Sequence, residues 1–487
     1  MQKILLILIS SLFFYNISYA EEYSNSWKLE IECKDRGYKW WESTFVVEVI
    51  DNKFSLRIDK RWDSQKNILF EGLVEKNKVI IKQTFERTDR SGKGIGFYKG
   101  KIKDNSAKLK GYRQFKGWDP LSCKGNFYKV DRLPIFASLE YLDNASREII
   151  NFTSYDPVGS INIINKSYVN SPVNISGELI LPKSGNNIPV VVVIHSSSGP
   201  SEFSEIKQWT WRNGFNNELL KNNIGIFQID SFTGRGVENT HSDQSTVSIH
   251  AGEMDAFQAL KLLEDHPRVD STRLGITGLS RGGIASYQVT EKRFSDAVLG
   301  PNRYFKASLP MAIDCYIRFE QPLMTPTKTL FLLGSNDDYT PPEGCVNWVK
   351  DVKVSQGESA DVEIIVKEDW VHGFYGDIPI TICDSCVVFN NQACQADLPN
   401  GMVYNNEGLP ANDLKNFFIK TKGKKTYDEL VETLSSPDAT WSNAWKFYYE
   451  LYKAMYKSCA TKGPKVGGDH AQETIDIAIS FFVESLK

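Results

Sequence analysis

The chain has 487 residues, 57 Lys and Arg against 60 Asp and Glu, and a net charge of −3. Hydrophobic residues make up 41%, charged residues 24% and aromatics 12%, which excludes a disordered chain, a collagen-like repeat and a coiled coil. The balanced charge leaves no electrostatic footprint for nucleic acid, and the length allows several domains.

Residues 1–20 read as a signal peptide. Lys3 supplies the positive start, residues 4–14 are apolar, and Ser18-Tyr19-Ala20 offers small residues at a cleavage site. The apolar run is about half of the ~20 residues that span a bilayer. The mature chain is therefore expected to start at Glu21, to be secreted or periplasmic, and to carry no membrane span. In an oxidising compartment the eight cysteines read as disulfides rather than as metal or redox sites. Cys33 pairs naturally with Cys123 and Cys315 with Cys345. Cys383, Cys386, Cys394 and Cys459 make two further bridges whose order stays open.

Residues 22–130 alternate runs rich in β-branched and aromatic residues (45–50, 54–58, 79–82) with turn clusters, the pattern of a small all-β accessory domain, sandwich or barrel. Five of the 11 Trp lie here (Trp27, Trp40, Trp41, Trp62 and Trp118), as core or as a sugar- or ligand-binding face. Residues 131–160 read as a polar linker with a helix-like piece around 139–150. From 161 to 487 strands alternate with helices. The VVVVI run at 190–194 is apolar on both faces, as in a parallel sheet, and 224–229, 274–277, 329–333 and 362–366 repeat the theme. The expected fold is α/β: a doubly wound, mostly parallel sheet preceded by the small β domain.

The chemistry centres on GLSRGG at 278–283. A G-x-S-x-G segment between a strand and a helix puts Ser280 on a strained turn with its hydroxyl exposed as a nucleophile. Such a serine needs a base and an orienting carboxylate, here expected later in the chain. Of the six histidines only His372 and His470 follow Ser280, and His372 directly follows a strand and a short turn. The acid is expected in the loop after 329–333, where Asp337 and Asp338 are adjacent; Asp337 is preferred and Asp338 stays open. Oxyanion donors are expected from the backbone N–H groups of Arg281 and Ser196. His195, Asp230 and Arg235 are expected to line the substrate pocket, with Arg235 and Arg281 able to meet an anionic group.

HSSSG after the Val-rich strand, DSFTGRG, GLSRGG, GSNDDYTPP and VHGF occur in an order that resembles the dienelactone hydrolase family of α/β-hydrolases. The resemblance covers roughly residues 170–375 and the last helix. It implies a nucleophile, acid and base at Ser280, Asp337 and His372, and hydrolysis of a carboxylic ester or lactone without metal or cofactor. The family's namesake uses Cys where this chain has Ser280. The front β domain and an insertion at about 376–466, expected to cap the pocket, are additions. A small-molecule substrate, carbohydrate-linked esters included, is the expected partner. The alternatives are a serine peptidase of the prolyl oligopeptidase type and a non-catalytic binding protein on a hydrolase scaffold.

Overall fold

The computed structural model describes residues 26–486 except 36–37, 49–51, 59–64, 76, 88–92, 104–105, 116–119, 130–139, 204–209, 358–359, 377, 385, 390–397, 399–400, 445–448 and 450–459. The expected signal peptide, Trp62, Trp118, Cys394 and Cys459 lie outside these residues. The chain divides into two compact units, one covering the first 138 residues and the other nearly all of the rest.

The first unit holds eight strands: β1 (Ser26–Asp35), β2 (Tyr38–Glu48), β3 (Lys53–Ile58), β4 (Gln65–Glu75), β5 (Lys78–Arg87), β6 (Lys93–Lys103), β7 (Ser106–Phe115) and β8 (Leu121–Lys129). They form one antiparallel sheet in the order β2-β1-β8-β7-β6-β5-β4-β3. This is a single sheet, and among the described residues no second sheet stacks on it as a sandwich requires. Alternate residues supply one core of Trp27, Leu29, Ile31, Phe70, Val79, Ile81, Phe85, Leu109 and Phe127. Period-two burial, seen clearly along β6, is the physical reason these runs form strands. Trp27 stacks on Phe127 in that core, with ring centroids 4.8 Å apart, so this tryptophan packs the interior. Cys33 pairs in register with Cys123 across β1 and β8, with the sulfurs at disulfide distance.

In the second unit the strands are β9 (Ser146–Tyr155), β10 (Pro172–Leu181), β11 (Ile188–Ile194), β12 (Gly225–Asp230), β13 (Val269–Leu279), β14 (Ala307–Met311), β15 (Ile317–Phe319), β16 (Lys328–Gly334), β17 (Val362–Lys367), β18 (Ile378–Ile382), β19 (Val387–Phe389), β20 (Met402–Tyr404), β21 (Ala460–Lys462) and β22 (Lys465–Gly468). The helices are α1 (Glu140–Asp143), α2 (Ser160–Ile164), α3 (Thr210–Lys221), α4 (Ala251–Glu264), α5 (Arg281–Gln288), α6 (Lys292–Val298), α7 (Glu343–Gln356), α8 (Asn412–Lys422), α9 (Lys424–Ser435) and α10 (Ala471–Ser485). The main sheet is mixed, in the order β17-β16-β14-β13-β11-β12-β10-β9. Its six strands from β17 to β12 are parallel, and β10 and β9 join antiparallel. Every residue of β11 is buried, as a strand covered on both faces must be.

Two expectations need correction. Residues 146–155 are not linker: they form edge strand β9, paired with β10 along its length. The strand is mostly exposed, which is why its alternation is faint in the sequence. The insertion, expected to cap the pocket, contributes to the core. Leu414, Phe417, Phe418, Leu430 and Leu434 of α8 and α9 join the core cluster that also holds Ile161, Ile163, Phe294 and Phe319. Its strand β20 pairs with β15 in a separate two-stranded parallel sheet. No helix among the described residues is long and apolar enough to cross a membrane.

Candidate active site

Ser280 sits between the last residue of β13 and the first of α5, with φ 53° and ψ −118°. That conformation is costly for a side chain with a Cβ and persists only where the surroundings enforce it. Here they do. The Ser280 N–H donates to Met311 O at 2.9 Å, and the helix begins hard against the strands. A Cβ at Gly278 would lie 2.3 Å from the Gly282 backbone, and one at Gly282 would lie 2.2 Å from Ile194 O. Only glycine lets the chain turn so tightly.

The sheet register brings the other two expected residues to the same edge. Leu279 lies opposite Met311, Met311 opposite Leu332, and Leu333 opposite Val366, so β13, β14, β16 and β17 end level. Asp337 follows β16 and His372 follows β17. Asp337 Oδ2 lies 2.8 Å from His372 Nδ1 and also accepts from Thr340 Oγ1 at 2.9 Å. Asp337 Oδ1 accepts the N–H groups of Tyr339 and Thr340 at 2.9 and 2.8 Å. With both oxygens occupied, the carboxylate has one orientation. Asp338 does something else: its Oδ1 accepts Lys465 N–H at 2.9 Å, pinning the start of β22. Among the described residues no hydrogen bond joins Ser280 Oγ to His372. His470 precedes the first residue of α10 without a side-chain capping bond, and its ring stacks on Trp370 with centroids 4.6 Å apart.

Several neighbours were not singled out in the sequence. The Tyr339 ring packs on the His372 imidazole with centroids 4.5 Å apart. Burial pushes the Asp314 carboxyl up to about 6; Asp337 adds to the rise, while the Tyr316 amide and His372 oppose it. Burial lowers the His241 pKa, with His372 adding to the shift and Glu202 opposing it, so His241 is neutral near pH 7. Two of these had a usable signal: Tyr339 lies within GSNDDYTPP, and Asp314 follows a strand at the carboxyl edge, where α/β sheets hold ligands.

The oxyanion loop departs from expectation at Ser196. Its N–H donates to Glu202 Oε2 at 2.6 Å, and the other Glu202 oxygen pairs with Arg212 at 2.6 Å, both side chains fully buried. Ser196 N–H is therefore engaged inside the protein instead of facing a substrate. The pocket expectations also change. His195 Nδ1 lies 2.8 Å from Ser196 O, and its Nε2 accepts Ser231 N–H at 3.1 Å, so the ring is neutral and braces the loop. Burial lowers its pKa, which favours the same state. Asp230 Oδ1 accepts the N–H groups of Phe232 and Thr233. Arg235 is held by Asp156 at 2.6 Å and by both oxygens of Asp255 at 2.9 Å. All three side chains are thus engaged by the protein's own groups. Arg281 likewise spends its guanidinium on Gln244, Val247 and Ser248.

Two more cysteine pairs lie at disulfide distance. Cys315 and Cys345 join the loop after β14 to α7, and Cys383 pairs with Cys386 within its own turn. Elsewhere, Ser160 Oγ lies 3.3 Å from His250 Nε2, and His250 Nδ1 lies 2.8 Å from Glu253. These side chains are at most 1% exposed, so this Ser–His–Glu chain is a structural network closed to substrate. Among the described residues no three His, Cys, Asp or Glu side chains cluster so as to hold a metal ion.

No family model matches this chain, and no curated protein matches it. Among solved structures it is similar to a hyperthermophilic esterase from the archaeon Pyrobaculum calidifontis, at 13% identity and TM-score 0.30, over 49% of this chain and 81% of that one. MGS-M1, an α/β hydrolase enzyme from a Medee basin deep-sea metagenome library, is similar at 16% identity and TM-score 0.29, over 41% and 78%. A cold-adapted esterase from an Arctic intertidal metagenomic library is similar at 15% identity and TM-score 0.28, over 47% and 86%.

Proposed function

We propose that this chain is an exported serine hydrolase that cleaves carboxylic esters or lactones, built on a doubly wound α/β-hydrolase sheet of the dienelactone hydrolase type. One observation carries the reading. Ser280, in a strained elbow, shares a sheet edge with a His372–Asp337 pair at 2.8 Å.

In this reading Ser280 Oγ attacks the ester carbonyl carbon and its proton passes to His372 Nε2. The imidazolium keeps its Nδ1–H on Asp337 Oδ2, which stabilises the positive charge. The oxyanion is met by the Arg281 N–H in the first turn of α5, where helix geometry supplies no intrahelical acceptor. The second donor is the Ser197 N–H, not that of Ser196. His372 then protonates the departing alkoxide, and water repeats the sequence to release the acid.

The arginine braces argue for a neutral acyl group over a carboxylate-bearing one such as dienelactone. The peptidase alternative needs a propeller of several small sheets, whereas the first unit is one eight-stranded sheet. Export rests on the leader at 1–20 and fits the paired cysteines. The test is hydrolysis of a panel of aryl esters, lactones and acetylated sugars by wild type and Ser280→Ala in parallel. Turnover abolished in Ser280→Ala is expected; equal turnover by both proteins would refute the assignment.

A further inference from the structure

We infer that Gln244 is a positioning residue that sets the separation between the two oxyanion donors; this rests on the serine-hydrolase reading above. The loop after β11 offers four successive amides. Ser196 N–H goes to Glu202, Ser198 N–H to Ser196 Oγ at 3.2 Å, and Gly199 N–H to Ser196 O at 3.1 Å. Ser197 N–H alone has no acceptor among the described residues, although the residue is buried. A buried amide without a protein partner is uncommon, and it is free to donate to a ligand acceptor or water.

Ser197 and Arg281 belong to different segments, one after β11 and one opening α5, and the side chain of Gln244 touches both. Its Nε2 donates to Ser197 Oγ at 2.9 Å, and its Oε1 accepts from Arg281 Nη1 at 3.0 Å. Thr240 closes the same cluster: its Oγ1 donates to Gln244 Oε1 at 3.1 Å, and its N–H donates to Ser197 O at 2.9 Å. Arg281 Nη2 anchors the far side on Val247 O and Ser248 O at 2.5 and 2.7 Å. The turn that carries Gln244 is itself fixed by Asp243 Oδ1 accepting Ser245 N–H. Gln244 thus links the side chains of the two donor residues and bonds to neither donor amide. Oxyanion donors act only within a few tenths of an ångström of their required position, and a displacement of about 1 Å costs on the order of a hundredfold in rate.

The experiment compares wild type, Gln244→Leu and Gln244→Glu in ester hydrolysis and in inhibition by an aryl trifluoromethyl ketone, whose hemiketal oxyanion needs both donors. Gln244→Leu, with unchanged melting temperature, is expected to lose about ten- to a hundredfold in kcat with little change in KM. It should lose ketone affinity in parallel. Gln244→Glu keeps an acceptor for each neighbour and is expected to restore most of the rate. A folded Gln244→Leu with wild-type kcat and ketone affinity, or with a loss confined to KM, overturns the inference. Should Gln244→Leu not fold, Ser197→Ala removes the tie while keeping the amide; a kcat loss at constant KM supports the inference, and a wild-type kcat overturns it. A wild type that hydrolyses no ester overturns the hydrolase reading and this inference together, whereas an active wild type beside an unaffected Gln244→Leu overturns this inference alone.

Discussion

The adjacent pair Asp337 and Asp338 supports a prediction with a sharp contrast. Asp337→Asn preserves Oδ1 for the Tyr339 and Thr340 amides, so the loop keeps its shape. What changes is the atom 2.8 Å from His372 Nδ1. An amide NH2 there would oppose the Nδ1–H, and the ring would relieve the clash by moving its proton to Nε2. Nε2 could then no longer accept the proton of Ser280. In serine hydrolases a wrong tautomer costs about 10⁴ in kcat, equivalent to about 5 kcal/mol. Asp338→Asn retains an acceptor for Lys465 N–H at the start of β22 and never meets His372, so its kcat should stay within about twofold, since the exchange preserves the hydrogen bond. The assay is steady-state hydrolysis of a 4-nitrophenyl ester by both variants, with melting temperatures taken alongside. An Asp337→Asn variant within tenfold of wild type, or a large loss in Asp338→Asn, would refute this assignment of the acid.

Three further outcomes follow from the same geometry. Arg235→Met leaves Asp255 buried without its cation and is expected to cost about 3–5 kcal/mol in denaturant unfolding; a loss seen only in KM would mean that Arg235 meets substrate after all. Gly282→Ala drives a Cβ to 2.2 Å from Ile194 O and 2.7 Å from His195 O, and should destabilise by about 3 kcal/mol or more; a wild-type unfolding midpoint would contradict the close approach at the elbow. For Asp314 the sign runs against the usual carboxylate. Unfolded, it ionises near 3.8; folded, it keeps its proton to about 6 because it is buried. Between those values the folded state holds more protons, so Asp314 lowers stability as pH rises through that window. Asp314→Asn should therefore gain about 1–3 kcal/mol relative to wild type between pH 4 and pH 7. A constant difference across that range would refute the raised pKa.

The residues differ in how plainly they announce themselves. Ser280 is readable because its glycines are required sterically: the chain cannot turn there with any other residue. The 190–194 run is readable because two-sided burial demands an unbroken apolar string. Asp337 is preferred from the sequence and Asp338 stays open there, since two adjacent aspartates differ only in where the turn points them. The Ser196 expectation failed for a related reason. Which amide of the serine run opens outward depends on Glu202, a buried carboxylate with no motif around it, and on its pairing with Arg212. The ion pairs of Arg235 were not legible, because an arginine in a loop at the sheet edge looks the same whether it faces a ligand or two aspartates. The edge strand β9 was hidden by its exposed face.

The central claim is that Ser280 is an activated nucleophile, and covalent labelling tests it most directly. The full-length protein treated with a fluorophosphonate should gain a single adduct by intact mass, and peptide mapping should assign it to Ser280. Ser280→Ala should gain none, and Asp337→Asn should label far more slowly. An unlabelled wild type, or an adduct that persists in Ser280→Ala, would contradict the account.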